Sequence, residues 1–229
     1  MRLAIIPARG GSKRIPRKNI KEFCGKPMIA YSIEAALKSG CFDKIVVSTD
    51  DEEIAAFARS LGADVPFMRP KELSDDHTST IPVIAHAIRA SVADVSEIEA
   101  VCCIYATAPF VQASFIQEAY EKLIRTHSAY AFSATSFPFP IQRAIRMTND
   151  DHVEMFSPEN FNTRSQDLEE AYHDAGQFYW GTPEAWLEGK IIFAPHSTVV
   201  LLPRHLVQDI DTPEDWMRAE FMFKALALS

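Results

Sequence analysis

Apolar runs at residues 3–6, Lys44–Ser48 and 100–105 alternate with segments whose apolar residues recur at helical spacing. The runs are too short for helices and carry no polar alternation, which is the pattern of strands buried on both faces. Pro27 opens a helix with Ile29, Ile33 and Leu37 on one face and Gly40 beyond its end. Asp50, Asp51 and Glu52 cap and charge the start of a second helix that runs to Leu61, with Gly62 as its stop. Helical spacing returns over 78–92, with Ile81, Ile84, Ala85 and Ile88 on one face, and over 113–124. Further strands are predicted over 64–68, 130–134, 178–180 and 198–202. Thr212-Pro213-Glu214-Asp215 starts a last helix, with Thr as cap, Pro at the first position and Asp near the third. The pattern predicts an α/β fold: a mostly parallel sheet with helices on both faces.

The alternation breaks at Phe137-Pro138-Phe139-Pro140. Beyond it lie β-prone pieces at 141–147 and 152–155 and a polar stretch at 157–170. Residues 1–136 and 173–229 are therefore expected to form the α/β domain, and 137–172 an inserted arm. The arm carries Phe137, Phe139, Ile141, Met155, Phe156 and Phe161, too much apolar surface for water, so it is expected to pack against a second copy as a homodimer.

With 229 residues the chain can bury about 70% of its unfolded surface and needs no disulfide or metal to hold a core. The formal charge is −8, which argues against a general nucleic-acid binder. Cys24, Cys41, Cys102 and Cys103 show neither zinc spacing nor C-x-x-C. The adjacent pair in an apolar run reads as buried, reduced thiols in a cytoplasmic protein. Neither a signal peptide nor a membrane-spanning stretch is expected.

Against that acidic body, the loop after the first strand is basic. Arg9, Gly10, Gly11, Ser12, Lys13, Arg14, Arg17 and Lys18 follow Pro7 directly, and Asn19 closes the run. The glycines allow a sharp turn that brings N–H groups to a ligand, and the cations neutralise phosphate. The spacing matches neither G-x-G-x-x-G nor a Walker A loop. Near the other end, Asp209 and Asp211 are one residue apart on an extended segment, so both carboxylates can point the same way. Hard oxygen ligands of that kind suit Mg²⁺; the alternative is a solvated helix entry. A D-x-D glycosyltransferase or a nucleotide sensor would use related parts, but neither accounts for the basic loop and the late carboxylate pair together. His77 and His86 have no partner pattern.

Ala8-Arg9-Gly10-Gly11-Ser12-Lys13-Arg14, with Pro16, Lys18 and Asn19, opening a parallel α/β chain, resembles the CMP–sialic acid synthetase family. Those enzymes are cytidylyltransferases that use CTP to activate nine-carbon α-keto sugar acids. The resemblance continues through Val47-Ser48-Thr49-Asp50, through 69–74 with Asp76, Thr78, Ser79 and Thr80, and through Asp209-Ile210-Asp211-Thr212-Pro213. It implies a nucleotide-diphospho-sugar transferase-like fold, CTP and sugar acid as substrates, Mg²⁺ as cofactor and a homodimer. It further implies that Ala8, Arg9, Gly10, Gly11, Ser12, Lys13, Asn19, Arg69, Thr78 and Thr80 hold the nucleotide. Arg9 and Lys18 would act in catalysis at the phosphates, and Asp209 and Asp211 on the metal.

Two departures mark the acceptor side. Tyr105 stands where the family has glutamine, and His173-Asp174-Ala175-Gly176 where it has R-P-N-G. The run 163–181 resembles the branch that acts on pseudaminic acid, in which flagellin or another surface glycan receives the product; legionaminic and N-acetylneuraminic acids are the alternatives. Tyr105, His173, Asp174 and Gln177 are thus expected to face the acceptor. Arg164 either pairs with the acceptor carboxylate or makes a dimer salt bridge.

Overall fold

The computed structural model describes residues 1–226. In chain order its elements are β1 (Arg2–Pro7), β2 (Glu22–Phe23), β3 (Lys26–Pro27), α1 (Met28–Ser39), β4 (Lys44–Ser48), α2 (Glu52–Ser60), α3 (Thr80–Ser91) and β5 (Ala100–Ile104). Then follow α4 (Ala113–Thr126), β6 (Tyr130–Ser136), β7 (Ile145–Met147), β8 (Val153–Met155), β9 (Tyr172–Gly181), α5 (Pro183–Glu188), β10 (Ser197–Leu201) and α6 (Pro213–Leu226). Six strands form one sheet in the order β10-β6-β9-β5-β1-β4. β1 runs parallel to β4 and β5, and β10 parallel to β6, whereas β9 is antiparallel to both of its neighbours. The sheet is therefore mixed and mostly parallel. No described helix is long and apolar enough to cross a membrane.

Alternate side chains of β1 enter opposite core layers. Ala4 and Ile6 pack with Ile29, Ile33, Ile54 and Ile116 on one face, and Leu3 and Ile5 with Ile84, Ile88 and Trp186 on the other. All four β1 residues are fully buried, which is why the run carries no polar alternation. Cys102 and Cys103 are buried as free thiols. A third cluster lies to one side and joins Ile15, Phe23, Met28, Leu206, Ile210 and Trp216. It ties the basic loop, the β2–β3 hairpin, the 203–211 loop and α6 into one block.

Some expectations need correction. Residues 64–68 form no strand: a single bridge pairs Asp64 with Val46, and Pro66 supplies no N–H to extend it. Leu37 is half exposed, so the apolar buried stripe of α1 ends at Ile33 and Ala36. The third helix starts at Thr80 with Ser79 as its cap residue, not at 78. The short α5, capped by Thr182 with Pro183 at its first position, was not anticipated. Residues 137–171 form the β7–β8 hairpin and several single 3₁₀ turns, with Phe139, Met147, Phe156 and Phe161 exposed, while Tyr172, expected in the arm, opens β9 and pairs with Ser136.

Candidate active site

The basic loop crosses the carboxyl ends of β1 and β4. It is held from below by buried Ile15, by the Ala8 N–H donating to Ser48 O, and by Asn19 Nδ2 donating to Arg9 O at 2.8 Å. The Gly10 N–H donates to Asp50 Oδ1 at 2.9 Å. A Cβ at Gly10 would stand 2.6 Å from Asp51 Oδ2, so glycine is required there by close approach to the start of α2. Gly11 is exposed with nothing near its missing Cβ, and neither glycine has a positive φ. The expected ring of free N–H groups is thus not built at Gly10, whose N–H is already used. Arg17 also leaves the group: it takes a positive φ and pairs with Asp51 and Glu53 at the α2 N-terminus.

The remaining cations converge. Arg9, Lys13, Arg14 and Lys18, with Ser12 and Asn19, line a cavity of about 490 Å³. Two carboxylates enter the same cavity. Asp76 pairs with Lys13 and, at 2.6 Å, with Arg9; the two cations hold its carboxyl below its ordinary value. Asp211 Oδ1 lies 2.9 Å from Arg14 and 3.5 Å from Lys18, whose Nζ also donates to Ile210 O at 2.7 Å. Four cations against two carboxylates leave a net positive cavity, suited to a polyphosphate. Arg14 was expected among the loop cations; the pairing role of Asp76 was missed, its signal being the Asp75-Asp76 pair in a turn among residues already suspected.

A second cavity, about 180 Å³, adjoins the first and shares Pro7, Arg9, Asn19 and Thr107 with it. Arg69, Thr78 and Thr80, expected on the nucleotide side, line it. Arg69 is almost wholly buried, with Nε donating to Ser48 Oγ and Nη2 to Ser48 O. Burial pulls its pKa down to about 10, so it remains charged at neutral pH. Thr78 is mainly a loop brace, its N–H and hydroxyl both donating to Asp75 Oδ1 at 2.7 Å. Ala8 does not line this space: its side chain is buried in the core beneath the loop.

A third cavity, about 410 Å³, is lined by Tyr105, His173, Asp174, Gly176, Gln208 and Asp209 among others. Tyr105 borders both the second and third cavities and forms the wall between them. Its hydroxyl lies 3.0 Å from Thr80 Oγ1, so its polar end is turned to the wall of the second cavity. His173 Nδ1 lies 2.8 Å from Asp174 O, and the ring packs edge-on against Phe137. Two expected residues stand apart. Arg164 is exposed in the 137–172 segment and pairs with Asp167 at 2.8 Å. Gln177 is buried and donates from Nε2 to Leu206 O at 2.6 Å, so within one protomer it braces the 203–211 loop rather than facing the cavity.

Asp209 and Asp211 flank different cavities, the third and the first, instead of pointing into one. They remain close enough to repel. Crowding by the cavity wall and the negative charge of Asp211 push the Asp209 carboxyl above its ordinary value, although the side chain reaches solvent. No Lys or Arg lies within ion-pair distance of Asp209 among the described residues. No described group of three or more His, Cys, Asp or Glu gathers as a self-sufficient metal cage. Two mutually repelling carboxylates beside the cationic cavity supply hard oxygen donors of the kind that suit a divalent cation, although they do not converge on one point. The 203–211 loop is fixed at its end by α6: the Asp215 carboxylate accepts the N–H groups of Asp211 and Thr212, and Thr212 Oγ1 accepts the Asp215 N–H. The expected capping box is present, with Asp in the Glu role.

Residues 3–188 match the family model described as Cytidylyltransferase. The chain is 53% identical over 222 residues to a pseudaminic acid cytidylyltransferase of Campylobacter jejuni, covering 97% of this chain and 96% of that protein. It is 35% identical to the CMP-N,N'-diacetyllegionaminic acid synthase of Legionella pneumophila, covering 95% and 94%. Against the N-acylneuraminate cytidylyltransferase of Escherichia coli the figure is 33%, over 93% of this chain and 50% of that protein. The fold is similar to that of a CMP:2-keto-3-deoxy-manno-octonic acid synthetase solved with CTP, with TM-score 0.70, 15% identity and 98% of each chain covered.

Proposed function

The chain belongs to the cytidylyltransferase family, and on that premise we propose that it transfers CMP from CTP to the anomeric hydroxyl of pseudaminic acid. The sugar oxygen attacks the α-phosphorus, the bond to the β-phosphate bridge breaks, and CMP-sugar and pyrophosphate form. The hydroxyl proton leaves with the solvent or a base. The observation that carries the reading is the run of three adjoining cavities: a cationic one for the triphosphate, one walled by Arg69 and Thr80 for the nucleoside, and one carrying His173 and Asp174 for the sugar acid.

Arg9, Lys13 and Lys18 neutralise charge that grows on the leaving pyrophosphate, and fixed charge of this kind costs no reorganisation during the reaction. Ser12 and Asn19 orient the chain of phosphates. Asp209 and Asp211 would hold a Mg²⁺ ion, which supplies Lewis-acid charge to the phosphates when bound. Tyr105 separates the two substrates and sets how close they approach. The 137–172 segment would act as an arm that pairs two protomers, bringing Arg164 to the acceptor carboxylate or to a cross-subunit ion pair. The proposed setting is cytoplasmic, and the product would serve flagellin or another surface glycan.

The test is pyrophosphate release with CTP and Mg²⁺ on pseudaminic, legionaminic and N-acetylneuraminic acids. The expected order places pseudaminic acid first in kcat/KM by at least roughly 10²-fold over N-acetylneuraminic acid, since two unpaired buried polar groups cost that much. Equal values for all three acids would remove the acceptor assignment. Release on none of them would remove the reaction.

A further inference from the structure

The third cavity contains one acidic side chain whose orientation is set by an interaction that the chemistry above leaves unused. Asp174 and Tyr179 are five residues apart in β9. In a regular strand that separation is roughly 17 Å and puts the two side chains on opposite faces. Here the ladder with β6 slips: Phe132 pairs with Tyr179, but Ala134, two residues on, pairs with Asp174. Three extra residues of β9 loop out, with Gly176 at φ +63°. The bulge brings the buried Tyr179 hydroxyl onto Asp174 Oδ2, to which it donates, while the Gly176 N–H donates to Oδ1 at 2.9 Å. Each carboxylate oxygen thus has one fixed donor and keeps a lone pair for another.

Two neighbouring polar groups of the wall are turned elsewhere. The Tyr105 hydroxyl is on Thr80 Oγ1, and His173 Nδ1 is on a backbone carbonyl. Asp174 is thus a carboxylate of this cavity with both oxygens oriented by fixed donors. We propose that Tyr179 is a positioning residue that locks the Asp174 carboxylate as a hydrogen-bond acceptor for an N–H or O–H donor of the acceptor sugar, and that this pair sets acceptor choice. The inference rests on the proposed reaction. An ionised carboxylate only accepts, so an acylamino N–H directed at it is bound, and a sugar offering only lone pairs there is refused. Burial raises the Tyr179 pKa, so the phenol stays a proton donor throughout the working range.

The test is a double-mutant cycle in steady-state kinetics with CTP and pseudaminic acid. Tyr179→Phe keeps the buried ring and removes only the hydroxyl. It is expected to raise the acceptor KM roughly tenfold or more and to leave kcat and the CTP KM within about twofold. Asp174→Asn, which exchanges one accepting oxygen for a donor, is expected to do the same. The double variant should be no worse than Asp174→Asn alone, because Tyr179 acts only through Asp174. An unchanged acceptor KM in Tyr179→Phe, losses that multiply in the double variant, or an equal loss toward CTP overturns the proposal. If Tyr179→Phe does not fold, Asp174→Asn still decides: an unchanged acceptor KM and unchanged preference among the three acids overturn it. An inactive wild type would instead bring down the functional reading, and this inference with it.

Discussion

A methyl group placed on Gly10 would collide with Asp51, whose carboxylate is held by two α2 N–H groups and by Arg17. Nothing there can yield cheaply. Gly10→Ala is expected to cost about 1–3 kcal/mol in thermal or urea unfolding and to raise the CTP KM. Gly11→Ala, open on all sides, should stay within about 0.5 kcal/mol of the parent. Equal effects at the two positions would contradict this account of the loop. Asp76 is the second residue to watch. It occupies part of the cationic cavity, so incoming phosphates must compete with it for Arg9 and Lys13. Asp76→Asn should therefore tighten CTP binding by about two- to fivefold, the range of a rim ion pair. Calorimetry showing weaker binding would mean that Asp76 instead holds the two cations in their working positions.

The Asp215–Thr212 box fixes both the first turn of α6 and the backbone of Asp211. Asp215→Ala should lower stability by about 1 kcal/mol and raise the Mg²⁺ concentration for half-maximal rate. Hydrogen bonds from Thr212 hold the Asp215 carboxyl below its ordinary value. The sign follows: the stabilisation is complete above an ordinary aspartate value of 3.8 and is lost as pH falls through the lowered one. An acid-unfolding midpoint that does not move in Asp215→Ala would count against this.

Elements with strong local signals were legible in the sequence. β1, β4 and β5 announced themselves as unbroken apolar runs, and α6 by its cap. The 64–68 segment misled because its composition suits a strand while Pro66 and an edge position leave it one bridge. The short α5 carried Thr182, Pro183 and Gly189 as cap, first residue and stop, but six residues hold too few turns for periodicity to register. At the site, the convergence of Arg9, Lys13 and Lys18 followed from their spacing. The defection of Arg17 did not, since it depends on where α2 places Asp51 and Glu53. The Asp174–Tyr179 contact was beyond reach, because a three-residue bulge erases the period on which strand reading depends.

At the scale of the whole molecule, a chain of net charge −8 carries a cationic cavity between the basic loop and Asp211, and exposed apolar side chains gather in the 137–171 segment. Phe139 is 78% exposed and Phe161 70%, with Ile145, Met147, Val153 and Phe156 beside them in the sequence segment. Such a surface is expected to be covered by its own copy. Replacing Ile145 and Phe161 together by Asp should convert a dimer to a monomer in sedimentation at micromolar concentration, with a folded α/β domain. A wild type that sediments as a monomer and is fully active would exclude the arm. The placement of β9 has one more consequence. On the proposed reading the nucleotide would be handled by loops that follow β1, β4 and β5 and the sugar read from β9 and the 203–211 loop, and of the residues lining the second and third cavities Tyr105 alone stands in both. Inheritance can therefore treat the two halves separately. If β9 reads the sugar as proposed, drift confined to 172–181 would retune which sugar is accepted while the nucleotide handle stays as it was, and a lineage would change its activated sugar one strand at a time.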